Sequence, residues 1–151
     1  MDASQIQRDF DPVTVDDYPL IQRYLALAQY EESNHNLVNM ILWIDSYPLF
    51  KCQHENWLLL LGVHEGTLFI YMPLCRPEYF KEAILAAKAI FERYHLSFVL
   101  SCFTKEAAQW FADTFNTCLE ENHSADYVYC GKAENVRGQD AEKTQSFKCV
   151  L

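Results

Sequence analysis

The sequence predicts an α/β domain: a mixed, mostly antiparallel sheet flanked by helices. Apolar residues recur at helical spacing in four separated stretches, and short runs of strand-forming residues lie between them. The resulting order, α-α-β-β-β-α-β-α-β-β, joins a strand meander to a strand set between two helices, which favours helices packed on a mixed sheet.

The first helix spans Thr14 to Gln29. Thr14 can cap it, Asp17 lies near its positive end, and Leu20, Ile21, Tyr24, Leu25 and Ala28 share one side. Pro19 lies beyond the ideal first-turn position, which moves the expected start a few residues later. Asn34 or Asn36 can cap a second helix through about Ile44. Its apolar Leu37, Met40, Ile41 and Trp43 or Ile44 leave so few polar positions that it is expected to be covered on most sides.

Leu49 to Gln53, Trp57 to Val63 and Thr67 to Met72 then read as three strands. The polar breaks His54-Glu55-Asn56 and His64-Glu65-Gly66 make them an antiparallel meander. Arg76 or Pro77 begins a long helix to about Tyr94, with Phe80, Ile84, Ala87, Ile90 and Phe91 on its periodic face. Ser97 to Phe103 is short and uncharged, as suits a parallel or central strand buried on both faces. Thr104 can cap a helix from Lys105 to Phe115, after which Thr117 to Glu121 and Ala125 to Cys130 read as two last strands broken at Asn122-His123-Ser124. Apolar periodicity ends after Gly131, and there is no internal repeat or low-complexity linker.

At 151 residues, half of them hydrophobic, the chain can bury one sizeable core. Its 12 basic and 21 acidic residues leave a formal charge of -9, which repels nucleic-acid backbones and anionic lipid head groups, so DNA is not an expected partner. Residues 131–151, with 4 basic and 3 acidic side chains, differ in character from the acidic body. No apolar run has membrane-spanning length and the start M-D-A-S-Q-I-Q-R is polar, so the expected location is cytoplasmic, with no integral membrane segment. Cys52, Cys75, Cys102, Cys118, Cys130 and Cys149 are scattered without a CxxC pair, a pattern of reduced, mostly buried thiols rather than a disulfide framework or zinc site.

Chemical motifs are sparse. The four glycines, Gly62, Gly66, Gly131 and Gly138, cannot build GxxxxGK[ST] or GxGxxG. Ser101, Cys102 and Thr104 fall at an expected strand end, where α/β proteins hold reactive groups, but a nucleophilic Cys102 needs His95 or His123 brought beside it. His35, His54, His64, His95 and His123 show no zinc-ligand spacing, and no metal is expected. The acidic pairs Asp16-Asp17, Glu31-Glu32 and Glu120-Glu121 suit solvated helix or strand ends. The one surplus is aromatic: Tyr24, Tyr30, Trp43, Tyr47, Phe50, Trp57, Phe69, Tyr71, Tyr79 and Phe80 crowd the first half, mainly as core, with a share that suits a pocket or interface.

Three segments carry a family resemblance: F-D-P-V-T-V-D-D-Y-P-L-I-Q-R-Y-L from Phe10, N-L-V-N-M-I-L-W-I-D-S-Y from Asn36, and A-D-Y-V-Y-C-G-K-A-E-N-V-R-G from Ala125. Over residues 10–138 the chain resembles the N-terminal half of bacterial proteins related to the phosphatidylglycerol lysyltransferase C-terminal domain. The resemblance implies two tandem GNAT-like (acyl-CoA N-acyltransferase-like) folds and transfer of an acyl or aminoacyl group. It makes residues 1–131 one GNAT-like domain and residues 132–151 a C-terminal tail, a truncated linker to a second fold that this chain lacks. It also implies that pyrophosphate of acyl-CoA is held by a glycine-containing loop between the central strand and the next helix. The matching position is read as S-C-F-T-K-E-A-A from Ser101, without glycine.

Two functions are therefore expected. One is a non-catalytic or accessory half that pairs with a second copy or a partner GNAT-like domain. The other is a small acyltransferase using acyl-CoA or aminoacyl-tRNA as donor, with Tyr127, Tyr129 or Cys102 as proton-transfer or nucleophilic groups. No catalytic or cofactor-binding residue is assigned.

Overall fold

The computed structural model describes residues 6, 8–30, 36–64, 66–102, 105–115, 119–129 and 141–150. Among the described residues eight strands form one sheet: β1 (Asp11–Pro12), β2 (Leu49–Gln53), β3 (Trp57–His64), β4 (Thr67–Ile70), β5 (Leu74–Cys75), β6 (Val99–Cys102), β7 (Leu119–Tyr129) and β8 (Ala141–Val150). Four helices accompany them: α1 (Tyr18–Ala28), α2 (Leu37–Trp43), α3 (Phe80–Arg93) and α4 (Lys105–Phe115). The strand path is β1-β2-β3-β4-β6-β8-β7, with β5 paired to β3. Every pairing is antiparallel except β4 with β6, which are joined through α3, the kind of crossover that parallel neighbours require. This is the mixed, mostly antiparallel sheet flanked by helices that the sequence predicts.

Local chemistry sets the elements. Thr14 donates to Asp17 from its N–H (2.8 Å) and its hydroxyl (3.1 Å), and the chain passes through a 3-10 turn, Val15–Asp17, before α1 opens with Pro19 in its first turn. The late start follows from the proline, which suits only a first turn. Asn36 caps α2, its side chain accepting from the Val38 N–H at 2.9 Å. The meander is antiparallel as predicted, although β4 ends at Ile70 rather than Met72, and the connection of β3 to β4 is only two residues, with Gly66 at φ 77°.

β3 organises the core. Its Leu58, Leu59, Leu60 and Leu61 are all fully buried, and successive side chains point to opposite faces. Leu59 and Leu61 join Ile70 and Leu100 under α3 and α4, where Ala83, Ile84, Ala87, Phe91, Ala108 and Phe111 pack. Leu58 and Leu60 join Leu49 and Leu74 under Ile21, Tyr24, Leu25 and Ala28 of α1 and Met40 of α2. Each buried leucine contributes roughly 1.5–3 kcal/mol by leaving water, so this four-residue run anchors both layers. The N-terminal segment is tied to the end of α3, with Arg93 Nη1 3.0 Å from Asp9 Oδ1 and Ile6 and Phe10 buried beneath.

Several expectations are corrected. α2 is not covered on most sides: only Met40 is buried, while Val38, Leu42 and Trp43 are exposed, because the seven-residue helix touches the core with one stripe. The two short final strands are one, β7, whose register shift between Asn122 and Ala125 absorbs the predicted break as a bulge. Within the stretch expected as a tail, Ala141–Val150 is a sheet strand, hydrogen-bonded between β6 and β7. Strand pairing needs only backbone, so lost apolar periodicity did not exclude it. The proposed cap Thr104 lies outside the described residues.

Candidate functional site

The site is a parting of two parallel strands. β4 and β6 meet at one pair, Ile70 with Leu100. Beyond it Tyr71 still donates its N–H to Leu60 O (3.0 Å), but Pro73 has no N–H to give, and the chain rejoins β3 as β5. The interruption is fixed by Tyr30, whose hydroxyl donates to Pro73 O at 2.7 Å. β4 is the middle strand of the path and α3 follows it, so the strand-to-helix turn at the sheet centre spans residues 71–79. The sequence reading placed that turn after Cys102, and the strand order corrects it.

Two cavities flank the parting. The first, about 490 Å³, lies on the α1/α2 face, floored by Leu49, Phe69, Tyr71 and Ser101 and roofed by Met40 and Trp43. Tyr47 and His64 close one side, their rings 4.7 Å apart at 30°, and Trp43 meets Tyr47 edge-on at 6.1 Å. The second, about 570 Å³, lies between the ends of α1 and the starts of α3 and α4, with Tyr30, Met72, Cys75, Phe80 and Trp110 in its wall. Glu78, Lys81 and Glu106 stand at its rim, and Lys81 Nζ lies 5.6 Å from the Trp110 ring centroid.

A diphosphate needs backbone donors, close approach and positive charge. The turn 71–79 holds no glycine, and Pro77 brings no N–H. The N–H groups of Tyr79 and Phe80 are bound to Arg76 O and Pro77 O. Glu78 and Glu82 lie in the first turns beside Arg76 and Lys81 and offset their charge, and the Glu82 carboxylate already accepts from the Trp57 indole N–H at 3.0 Å. Burial, reinforced by those two carboxylates, pushes the Cys75 thiol up to about 12, so it is a protonated core group. With no glycine, Pro77 lacking an N–H and two further N–H groups already bound, the turn does not supply the glycine-containing backbone cradle expected for the pyrophosphate of acyl-CoA.

The sequence candidates are scattered. Ser101 lines the first cavity. His95 is exposed, at φ 54°, before β6 begins, whereas Cys102 ends it, about 10 Å further along the strand. Through the register Cys102 faces Phe147, which faces Glu121, so His123 lies two strands from Cys102. Neither histidine is placed to serve Cys102 as a base. Tyr127 and Tyr129 pair with Lys143 and Ala141, beyond the part of β8 that meets β6, and are remote from the parting. Asp17, from the first acidic pair, is a cap bound to Lys51 Nζ at 3.3 Å. Glu31 and Glu32 lie outside the described residues. His54 stacks on Trp57 at 4.7 Å as a turn residue, while His64, read the same way, lines the first cavity.

Asn39 and Gly62 were missed. Asn39 lines the first cavity, and Gly62 lies beneath the Phe69 ring that floors it. Gly62 pairs with Phe69 in the hairpin register, which the two-residue turn could have disclosed. Among the described residues no group of three or more His, Cys, Asp or Glu could hold a metal, and no helix is long and apolar enough to cross a membrane.

No protein-family model and no curated protein matches the chain. Among solved structures it is similar to one described as a putative acetyltransferase from the GNAT family of Bacteroides thetaiotaomicron. That likeness has 13% identity and a TM-score of 0.49, covering 93% of this chain and 85% of the other.

Proposed function

We propose that this chain is a GNAT-like accessory half of an acyl- or aminoacyltransferase, related to the phosphatidylglycerol lysyltransferase C-terminal domain, and that it acts by pairing rather than by CoA-dependent catalysis. The turn at residues 71–79 carries this reading: it has no glycine, Pro77 brings no N–H, and Glu78 and Glu82 offset the charge of Arg76 and Lys81, so it lacks the backbone cradle a diphosphate needs. Pairing with a second copy or a partner domain is supported by β7, an 11-residue strand that among the described residues ends the strand path, where a further strand could add. Residues 1–131 with Ala141–Val150 would form the GNAT-like unit that pairs. Calorimetric titration with CoA and acetyl-CoA tests the reading. It expects no saturable heat, and saturable micromolar binding of either overturns it.

The alternative, a small acyltransferase using aminoacyl-tRNA or an unconventionally bound acyl donor, is favoured by the first cavity. There His64, Tyr47, Tyr71 and Ser101 supply groups able to move a proton beside an acceptor. Donor-dependent acylation of an amine or hydroxyl acceptor, lost with His64→Gln, would establish it instead.

A further inference from the structure

The first cavity is walled in an unusual way for a pocket beside a hydrophobic core. Trp43, Tyr47, Phe69, Tyr71 and His64 bring five rings to it, and none of its described lining residues is Asp, Glu, Lys or Arg. Among the described lining residues an anion finds no fixed counter-charge, and a metal ion or a strongly hydrated primary ammonium finds no carboxylate to replace its water. A bulky, weakly hydrated cation finds ring faces, whose negative quadrupoles attract it.

The rings are held in place before any ligand arrives. Tyr47 is set between Trp43, edge-on at 6.1 Å, and His64, at 4.7 Å. Phe69 and Tyr71 lie 5.0 Å apart at 53°. The Phe69 ring lies over Gly62, where a Cβ would fall 2.8 Å from its Cε1, so the glycine makes room for the ring on the sheet. Trp43 is 60% exposed, so core packing does not account for it, yet it contributes to the cavity wall. The volume, about 490 Å³, exceeds what an ammonium head group fills, and Ser101 brings a hydroxyl to the wall beside the rest of a small molecule. The net charge of -9 draws cations toward the surface.

We propose that this cavity is a binding site for a small organic cation of the quaternary ammonium class, held by the faces of Trp43, Tyr47, Phe69 and Tyr71. The site stands whether or not the chain transfers acyl groups.

Choline and tetramethylammonium, each titrated against the full chain with sodium chloride matched for ionic strength, test it by calorimetry and tryptophan fluorescence. The neutral isostere of choline, 3,3-dimethyl-1-butanol, is the comparison. One saturable site per chain is expected for the cations, with the isostere bound at least about fivefold more weakly, as a cation–π contribution requires. Trp43→Leu is expected to weaken cation binding by about the same factor, whereas Leu42→Ala, at a 71% exposed neighbour, leaves it unchanged. Equal affinity for choline and its isostere overturns the proposal, as does the absence of saturable cation binding at tens of millimolar. Unaltered cation affinity in a folded Trp43→Leu protein also overturns it. The wild-type comparison needs no variant, so it decides even where a variant fails to fold.

Discussion

Replacing Gly62 by alanine puts a methyl group into the Phe69 ring, 2.8 Å from Cε1 and 3.0 Å from Cε2. Gly62 is buried in the middle of the sheet, so the strand cannot back away, and the ring must leave the floor of the first cavity. Overpacking of this kind costs about 1–3 kcal/mol. Losing the flexibility that glycine gives the unfolded chain returns about 0.5–1 kcal/mol, leaving a net loss of up to about 2.5 kcal/mol. For a chain of this size that lowers the midpoint of thermal unfolding by up to about 10 °C. The decisive assay is a double-mutant cycle in urea. With Phe69→Ala already present, Gly62→Ala meets open space and becomes neutral or stabilising by up to about 0.5–1 kcal/mol. An equal loss in both backgrounds would refute the account of Gly62 as the seat of the Phe69 ring.

Tyr24→Phe removes a hydroxyl that donates to His54 O (2.8 Å) and Glu55 O (3.2 Å) from a buried ring, and should cost about 1–2 kcal/mol, read as a lower urea midpoint at unchanged slope. Partial burial opposes ionisation of Asp17, but the Thr14 N–H and Lys51 outweigh it and hold its carboxyl below the ordinary 3.8. That stabilisation is complete above the ordinary value and is lost as pH falls through the lowered one, so Asp17→Asn should flatten the acid limb of thermal melts taken between about pH 2 and pH 5. With its thiol pushed up to about 12, Cys75 should resist iodoacetamide at mildly alkaline pH and react once the chain is unfolded in guanidinium, as peptide mapping would show. Rapid labelling of Cys75 in the folded protein would mean that its wall of the second cavity opens.

Much of the fold was legible because its signals are local. Asn36 caps α2, Pro19 delays α1, Gly66 turns β3 into β4, and the periodic faces of α3 and α4 pack as their spacing implies. β8 was not legible: a strand inserted between two others draws its energy from partners distant in sequence, and its own side chains need show no pattern. The candidate site was legible only in its ingredients. Trp43, Tyr47, Phe69, Tyr71 and Ser101 stood out as residue types, yet 58 positions of chain separate the first from the last, and the strand order alone brings them round one cavity. The exposure of α2 was misjudged for a related reason, since an apolar helix reads as covered whether or not the fold supplies a cover.

By itself, the sequence determined an α/β domain with an antiparallel meander at its heart, an acidic surface, and no glycine-rich phosphate cradle. These are properties of composition, short-range periodicity and turn chemistry, which act within a few residues. Only the tertiary structure decided that β4 is the middle strand, and that it meets β6 at the single pair Ile70 with Leu100. The strand-to-helix turn there carries Arg76 and Glu78 and no glycine, and a ring laid on Gly62 floors a cavity beside it. Those outcomes depend on which distant strands share hydrogen bonds, and pairing partners are chosen by the whole packed sheet rather than by any one segment.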